Sequence, residues 1–165
     1  MSDKPLQKRT RIKSMADFHG LPFPGHCKRE PEELVVIMKV LLVEDYAPIR
    51  ERLCDLVRTV PGAHIVAEAD EPSLALAAIQ ASDPAVVIID LQLKAGTSGL
   101  TILKWVRQHR PGIEVIVLSN SAYAQMRKLC LELGARLFLD KASEFAQLRG
   151  ALIELAERFA PPPLS

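Results

Sequence analysis

Apolar and polar residues follow one another in a repeating pattern over most of this chain. Short apolar runs rich in β-branched residues alternate with longer stretches in which apolar residues recur every three or four positions. The short runs are typical of strands buried on both faces, and the longer stretches are typical of amphipathic helices. The pattern predicts strands at 34–43, 64–69, 85–89, 113–118 and 135–139. It predicts helices at 47–60, 71–81, 100–109 and 122–133, and a last helix that carries Phe145 and Phe159.

Turn-forming residues separate these elements. Pro61-Gly62, Pro84 and Pro111-Gly112 interrupt the apolar pattern, and Gly134 is a favourable left-handed cap for the helix before it. Five alternations of strand and helix indicate an α/β fold with a parallel sheet and helices on both of its faces. We expect a flavodoxin-like doubly wound (βα)5 domain with strand order 2-1-3-4-5, in which the first and third strands are neighbours.

Charged and hydroxyl residues stand at the ends of four of the predicted strands. Glu44 and Asp45 follow the first strand, and Asp90, Ser119 and Lys141 follow the third, fourth and fifth. Ligands of doubly wound sheets bind at the carboxyl ends of the strands, so these residues are candidates for one site. Three carboxylates in one cleft repel one another unless a divalent cation or the ammonium group of Lys141 balances them. Hard oxygen ligands favour Mg²⁺, and beside Mg²⁺ and Lys141 the carboxylate of Asp90 is suited to accept a phosphoryl group.

Each of these residues also has a structural interpretation when it is considered alone. Asp45 is a candidate N-cap for the helix that starts near Ala47, and Asp90 is a candidate turn-former. Ser119 fits an ordinary hydroxyl at a strand end, and Lys141 fits a solvated charge. Their occurrence together at four strand ends favours a shared site.

Four motifs resemble those of the receiver domain of two-component response regulators. They read VLLVED at 40–45, VVIID at 86–90, VIVLS at 115–119 and LFLDK at 137–141, and the resemblance covers about residues 38–160. It implies that Glu44 and Asp45 hold Mg²⁺ and that Asp90 is both a metal ligand and the phosphoacceptor. It also implies a metal contact from the backbone carbonyl of Gln92, phosphoryl contacts from Ser119 and Lys141, and an aromatic switch at Phe138, although a buried core phenylalanine would look the same.

The chain departs from the common pattern of this family at three points. The loop after the phosphoacceptor reads LQLKAGTSG without the usual Met-Pro, and its Gly99 stands one residue later than expected. Ala142 replaces the proline that usually follows the lysine, so we expect no cis peptide bond there. Asn120 stands where the family has a small residue. None of these changes removes a candidate catalytic group.

The resemblance implies a phosphorylation-controlled binding module rather than an enzyme. A sensor histidine kinase or a histidine phosphotransfer protein would be the donor, and a downstream protein would bind residues 122–158. Tyr123, Met126 and Arg127 are the candidate contacts on that face. One alternative is a degenerate receiver used as a scaffold. Another is a haloacid-dehalogenase-like phosphatase with a phospho-aspartyl intermediate, against which Gln92 argues because such enzymes carry a second aspartate at that position.

Charge, hydropathy and cysteine content indicate which partners and which cellular location to expect. A formal net charge of +1 gives no overall field that would favour nucleic acid or a membrane surface, and the apolar run 34–43 is too short to span a bilayer. Cys27, Cys54 and Cys130 have no metal-binding or disulfide spacing, which is typical of reduced thiols in a cytoplasmic protein.

The two ends of the chain differ in composition from its middle. Residues 1–33 contain four prolines and are basic over 1–29, which predicts a disordered extension or, as an alternative, an arm that contacts nucleic acid or an acidic partner. We expect the receiver domain at 34–160 and a short proline-rich tail at 161–165. We expect no output domain and no direct DNA binding.

Overall fold

The computed structural model describes residues 38–120 and 123–160, which form strands and α-helices in strict alternation. The strands are β1 (Met38–Val43), β2 (Ala63–Ala69), β3 (Val86–Ile89), β4 (Glu114–Ser119) and β5 (Leu137–Asp140). The α-helices are α1 (Ala47–Arg58), α2 (Pro72–Ser82), α3 (Leu100–His109), α4 (Ala124–Glu132) and α5 (Phe145–Phe159). A short 3₁₀ turn at Lys94–Gly96 lies in the loop between β3 and α3.

The five strands form one parallel sheet in the order β2-β1-β3-β4-β5, which confirms the predicted fold class and strand order. The register pairs Val43 of β1 with Ile89 of β3, so the residues that follow these two strands emerge side by side. At the other side of the sheet, Ser119 of β4 pairs with Asp140 of β5. Because all five strands run parallel, the polar residues at their carboxyl ends lie at the same end of the sheet. The strand order makes β1 and β3 neighbours there.

Two apolar layers enclose the sheet. On one face, the side chains of α1 and α5 pack against alternate strand residues such as Val40 and Leu42. On the other face, α2, α3 and α4 pack against the intervening residues, such as Leu41 and Val43. Because both faces are covered, β3 and most of β1 and β4 are apolar in continuous runs rather than in alternation, whereas the edge strand β2 is only partly buried.

Several boundaries differ from the prediction. The described part of β1 begins at Met38, and positions 34–37 of the predicted strand lie outside the described residues. Helix α1 ends at Arg58, and Val60 is buried beyond its end. In α2 the buried residues are Ala75 and Ile79, and Leu74 is 52% exposed. These two are four positions apart and form the inward stripe, and Leu74 falls to its side.

The predicted tail segments 1–33 and 161–165 also lie outside the described residues. Among the helices of the described part, none is long and apolar enough to cross a membrane. Every fully buried side-chain nitrogen or oxygen within 38–120 and 123–160 has a hydrogen-bond partner.

Candidate functional site

Three carboxylates meet where β1 and β3 end. Glu44, Asp45 and Asp90 each offer an oxygen, and these oxygens lie within 4.8 Å of one another. Glu44 and Asp90 are buried, and Asp45 is partly exposed. The N-cap position of α1 is Tyr46, with no side-chain capping bond, so the alternative prediction that Asp45 caps this helix is wrong. Carboxylate oxygens at this spacing are a suitable ligand set for a hard divalent cation.

Lys141 lies between two of these carboxylates. Its Nζ donates to Oε2 of Glu44 and to Oδ2 of Asp90, both at 2.6 Å, and its side chain is 6% exposed. Burial raises the pKa of Glu44, and the hydrogen bond from Lys141 opposes that effect. A single ammonium group leaves an excess of negative charge in this enclosed place. The cluster can therefore accommodate a further cation.

The backbone after Asp90 folds back closely on this residue. The amide of Gln92 donates to Oδ1 of Asp90 at 3.0 Å, and Gln92 and Ser98 form an isolated antiparallel bridge. The amide of Gly99 donates to the carbonyl of Leu91 at 3.1 Å. A Cβ on Gly99 would stand 2.1 Å from the carbonyl oxygen of Asp90, so no larger residue fits there without a backbone shift. This loop orients Asp90 although it lacks the proline common in the family.

Ser119 is the last residue of β4 and lies beside Lys141, which follows β5. Its side chain is buried, and its carbonyl accepts the amide of Lys141 at 3.1 Å. The hydroxyl residue and the lysine are thus joined through their backbones at the same edge of the sheet as the carboxylates. The sequence prediction that these strand ends lie together agrees with this geometry.

The turn between β5 and α5 is built on the carboxylate of Asp140. Its Oδ1 accepts hydrogen bonds from the amides of Ala142 and Ser143 and from the hydroxyl of Ser143. The bonds from Ser143 lower the pKa of Asp140, and the bond from Ala142 adds to them. No cis peptide bond occurs in the described ranges, in agreement with the absence of proline at Ala142. The side-chain turn takes the place that a proline-based turn has in much of the family.

Phe138 of β5 is buried, and Arg127 of α4 covers it. The ring is 1% exposed, and the guanidinium carbon lies 5.1 Å from the ring centroid. Arg127 also donates to the carbonyl of Phe138 at 2.8 Å and to Glu144 at 2.6 Å. We expected Tyr123, Met126 and Arg127 to be exposed, but only Tyr123 is, since Met126 packs against the core and Arg127 is partly buried in this pairing.

Sequence reasoning missed the roles of Asp140, Arg127 and Glu144. The stretch DKAS has a signal for the first, because an aspartate followed by small polar residues is a common side-chain turn. Arg127 and Glu144 are far apart along the chain and carry no local signal for their pairing.

Most of this sequence is similar to a known family and to parts of known proteins. A family model, the response regulator receiver domain, matches residues 40–153. The photosynthetic apparatus regulatory protein RegA of Cereibacter sphaeroides is 28% identical over 131 residues, which cover 79% of this chain and 70% of RegA. A protein-glutamate methylesterase/protein-glutamine glutaminase of Treponema pallidum is 35% identical over 114 residues, which cover 67% of this chain but 28% of that protein.

Solved structures show the same fold. The response regulator domain of Thermotoga maritima CheB superposes with a TM-score of 0.64 and 24% identity, covering 76% of this chain and 99% of that one. A LuxR-family two-component response regulator from Aurantimonas superposes with a TM-score of 0.68 and 24% identity, covering 74% of this chain and 86% of that one. The family model spans more than half of the chain, and the strands it includes end at the polar residues described above. The chain belongs to the response regulator receiver domain family.

Proposed function

We propose that this protein accepts a phosphoryl group on Asp90 in a Mg²⁺-dependent reaction, and that this modification switches a protein-binding surface. The observation that carries the proposal is the enclosed group formed by Glu44, Asp45, Asp90 and Lys141. As a purely structural cluster, three close carboxylates with one ammonium group would reduce the stability of the fold. As a site for a cation and a phosphoryl group, the same arrangement has a chemical use.

The oxygens of Glu44, Asp45 and Asp90 would hold Mg²⁺, and the backbone carbonyl of Gln92 would complete the protein's ligands. An all-oxygen donor set fits the preference of this ion. When bound, Mg²⁺ supplies positive charge that stabilises the oxygens of a phosphoryl group during transfer. The remaining steps belong to the side chains of the protein.

A carboxylate oxygen of Asp90 forms a bond to phosphorus while the bond between phosphorus and the donor's histidine nitrogen breaks, and the electron pair leaves with the nitrogen. The ammonium group of Lys141, which already contacts Asp90, neutralises charge on the transferred group. The hydroxyl of Ser119 would hydrogen-bond one phosphoryl oxygen. The proposed donor is a sensor histidine kinase or a histidine phosphotransfer protein.

The proposed output is a change in the surface that comprises residues 122–158. Ser119 and Phe138 would act as the switch, because one belongs to the phosphoryl site and the other to the strand beneath this surface. Tyr123, which is 76% exposed at the start of α4, is the proposed contact for a downstream protein. We propose a cytoplasmic setting and a protein contact rather than DNA binding as the response.

Intact-mass measurement after incubation with a small phosphodonor tests this function. The wild-type chain should gain the mass of one phosphoryl group in the presence of Mg²⁺ and not in its absence. Asp90→Asn should gain none, because the amide lacks the nucleophilic oxygen. Asp55→Asn is a matched control, since Asp55 is an exposed residue of α1 that pairs with Arg58.

Three other results would contradict the proposal. Folded wild-type protein that gains no mass with several donors would support a phosphorylation-independent scaffold. Steady release of inorganic phosphate without accumulation would support a phospho-aspartyl phosphatase. Modification that persists in Asp90→Asn would assign the phosphoacceptor elsewhere.

A further inference from the structure

Strand β5 is an edge strand of the sheet, and only one of its two sides pairs with another strand of the described residues, β4. The amide of Lys141 donates to Ser119 of β4. Strand alternation therefore turns the backbone groups of residues 137, 139 and 141 toward β4 and those of Phe138 and Asp140 outward. An outward carbonyl and an outward amide at an edge strand normally remain open to solvent or to another chain.

Two side chains satisfy both of these outward groups. Arg127 donates from one guanidinium nitrogen to the carbonyl of Phe138 at 2.8 Å, and Oε2 of Glu144 accepts the amide of Asp140 at 2.8 Å. A second guanidinium nitrogen of Arg127 donates to the same Oε2 at 2.6 Å. We call the Arg127–Glu144 pair the clasp. It runs along the edge of β5 much as a neighbouring strand would.

The clasp joins three parts of the molecule. Arg127 belongs to α4, Glu144 precedes α5, and the backbone groups they contact belong to β5. The pairing lowers the pKa of Glu144, as expected for a carboxylate that receives bonds from a guanidinium group and an amide. The guanidinium group also lies over the ring of Phe138, so the same contact encloses that side chain.

Lys141 directly follows Asp140, the last residue of β5. Its backbone amide is bound to β4, while the preceding amide is bound to the clasp. Its Nζ donates hydrogen bonds of 2.6 Å to Glu44 and to Asp90. A displacement of the turn after β5 would lengthen or break these two bonds. We propose that Arg127 and Glu144 are positioning residues, which hold the edge of β5 so that Lys141 points into the phosphoryl site. The proposal rests on the function proposed above and adds a structural control of that same site.

Alanine variants of the clasp test this role. In Arg127→Ala and Glu144→Ala, the amide hydrogen of Asp140 should exchange about tenfold faster, because a charge-assisted hydrogen bond has been removed directly or weakened. The proton–nitrogen NMR signal of the Lys141 ammonium group should broaden, and phosphoryl uptake with Mg²⁺ should slow by about three- to tenfold, since small misplacements of catalytic groups reduce rates. In the double variant, the three measured changes should be no larger than in the single variants, because loss of either partner already removes the Arg127–Glu144 pair.

Lys128→Ala is the matched control. It removes a neighbouring cation of α4 whose pair with Glu132 is exposed and 3.8 Å long, so all three measurements should equal those of the wild type. Arg127→Lys should give intermediate values, because an ammonium group can pair with Glu144 but does not reproduce the guanidinium fork. If an alanine variant fails to fold, Arg127→Lys can be used in its place to test the positioning role.

The outcomes separate this inference from the proposed function. A wild-type chain that takes up no phosphoryl group overturns the proposed function, while amide exchange and the Lys141 signal still test the clasp. Unchanged exchange at Asp140 in Glu144→Ala overturns the clasp. Faster exchange with an unaltered Lys141 signal and unaltered uptake overturns the positioning role and leaves a contact that only stabilises the fold.

Discussion

At the scale of single residues, the site is defined by an imbalance of charge. Glu44 and Asp90 share the ammonium group of Lys141, whereas Asp45 contributes a further carboxylate to the cluster. Each carboxylate that is not compensated raises the free energy of the folded state. The residues that would bind a cation are therefore the ones that weaken the fold when the cation is absent.

Asp45→Asn tests this conflict between stability and binding. In metal-free buffer the variant should be more stable than the wild type by about 1 kcal/mol, because one repulsive charge near two others is removed. In millimolar Mg²⁺ the difference should shrink or reverse, since the wild type gains the free energy of ion binding. Urea unfolding with a chelator and with Mg²⁺ measures both values. A destabilised variant in the chelator would contradict the repulsion argument.

At the scale of elements, two short connections orient the site. The loop from β3 to α3 brings Gly99 against the carbonyl of Asp90, and the turn from β5 to α5 is closed by the carboxylate of Asp140. Neither connection uses the prolines that are common in the family. Local backbone contacts and a side-chain turn fix the same residues by other means.

Gly99→Ala should destabilise the protein by about 2 to 3 kcal/mol, because its Cβ would overlap the carbonyl oxygen of Asp90 and the backbone must shift. Phosphoryl uptake should fall with it, since the shift moves Asp90, the proposed phosphoacceptor. Gly150→Ala provides the contrast, because Gly150 is an exposed residue within α5 and a Cβ added there would meet no atom within 4 Å outside the neighbouring helix backbone. That change should stabilise the protein by about 0.5 to 1 kcal/mol. Equal stability of the two variants in urea would refute the close-approach argument.

The turn from β5 to α5 should contribute to stability in a pH-dependent way. The pKa values of Asp140 and Glu144 are lowered in the folded state, so their contributions are complete above the unfolded values and are lost as the pH falls through the folded ones. Asp140→Asn keeps an acceptor oxygen but does not titrate. Between about pH 5 and pH 3 its free energy of unfolding should therefore fall less steeply than that of the wild type. Parallel curves from urea unfolding at several pH values would contradict this role of Asp140.

At the scale of the whole molecule, the sequence pattern predicted the fold and the arrangement of the strand ends. Periodicity identifies strands and helices directly, and the parallel topology then places Glu44, Asp90 and Lys141 at one edge. The inward stripe of α2 is formed by Ala75 and Ile79 while the hydrophobic Leu74 lies outside it, a distinction that apolar periodicity alone does not make. The pairing of Arg127 with Glu144 could not be predicted, since it depends on how α4 and the turn after β5 approach each other in three dimensions.

Within residues 38–120 and 123–160, two cysteines are buried, one in each apolar layer. Cys54 lies in the layer with α1 and α5, and Cys130 lies in the layer on the opposite face of the sheet. Burial raises the pKa of both thiols, and Glu68 raises that of Cys54 further, so both should resist alkylation at neutral pH in the folded protein. If the domain unfolds as one unit, both should become reactive over the same range of urea concentration. Peptide mass analysis after labelling would show separate ranges if the layers unfold independently.

Strand β3 is apolar on both of its faces, and this has a consequence for its alignment. When both faces of a strand are apolar, a slip by one residue exchanges two equivalent faces, and the hydrophobic effect alone hardly opposes it. Val43 pairs with Ile89, so such a slip of β3 would draw Asp90 into the sheet opposite an apolar residue. The cost of burying a carboxylate there prevents that error. The charged groups at the strand ends thus also help to fix the register of the strands during folding.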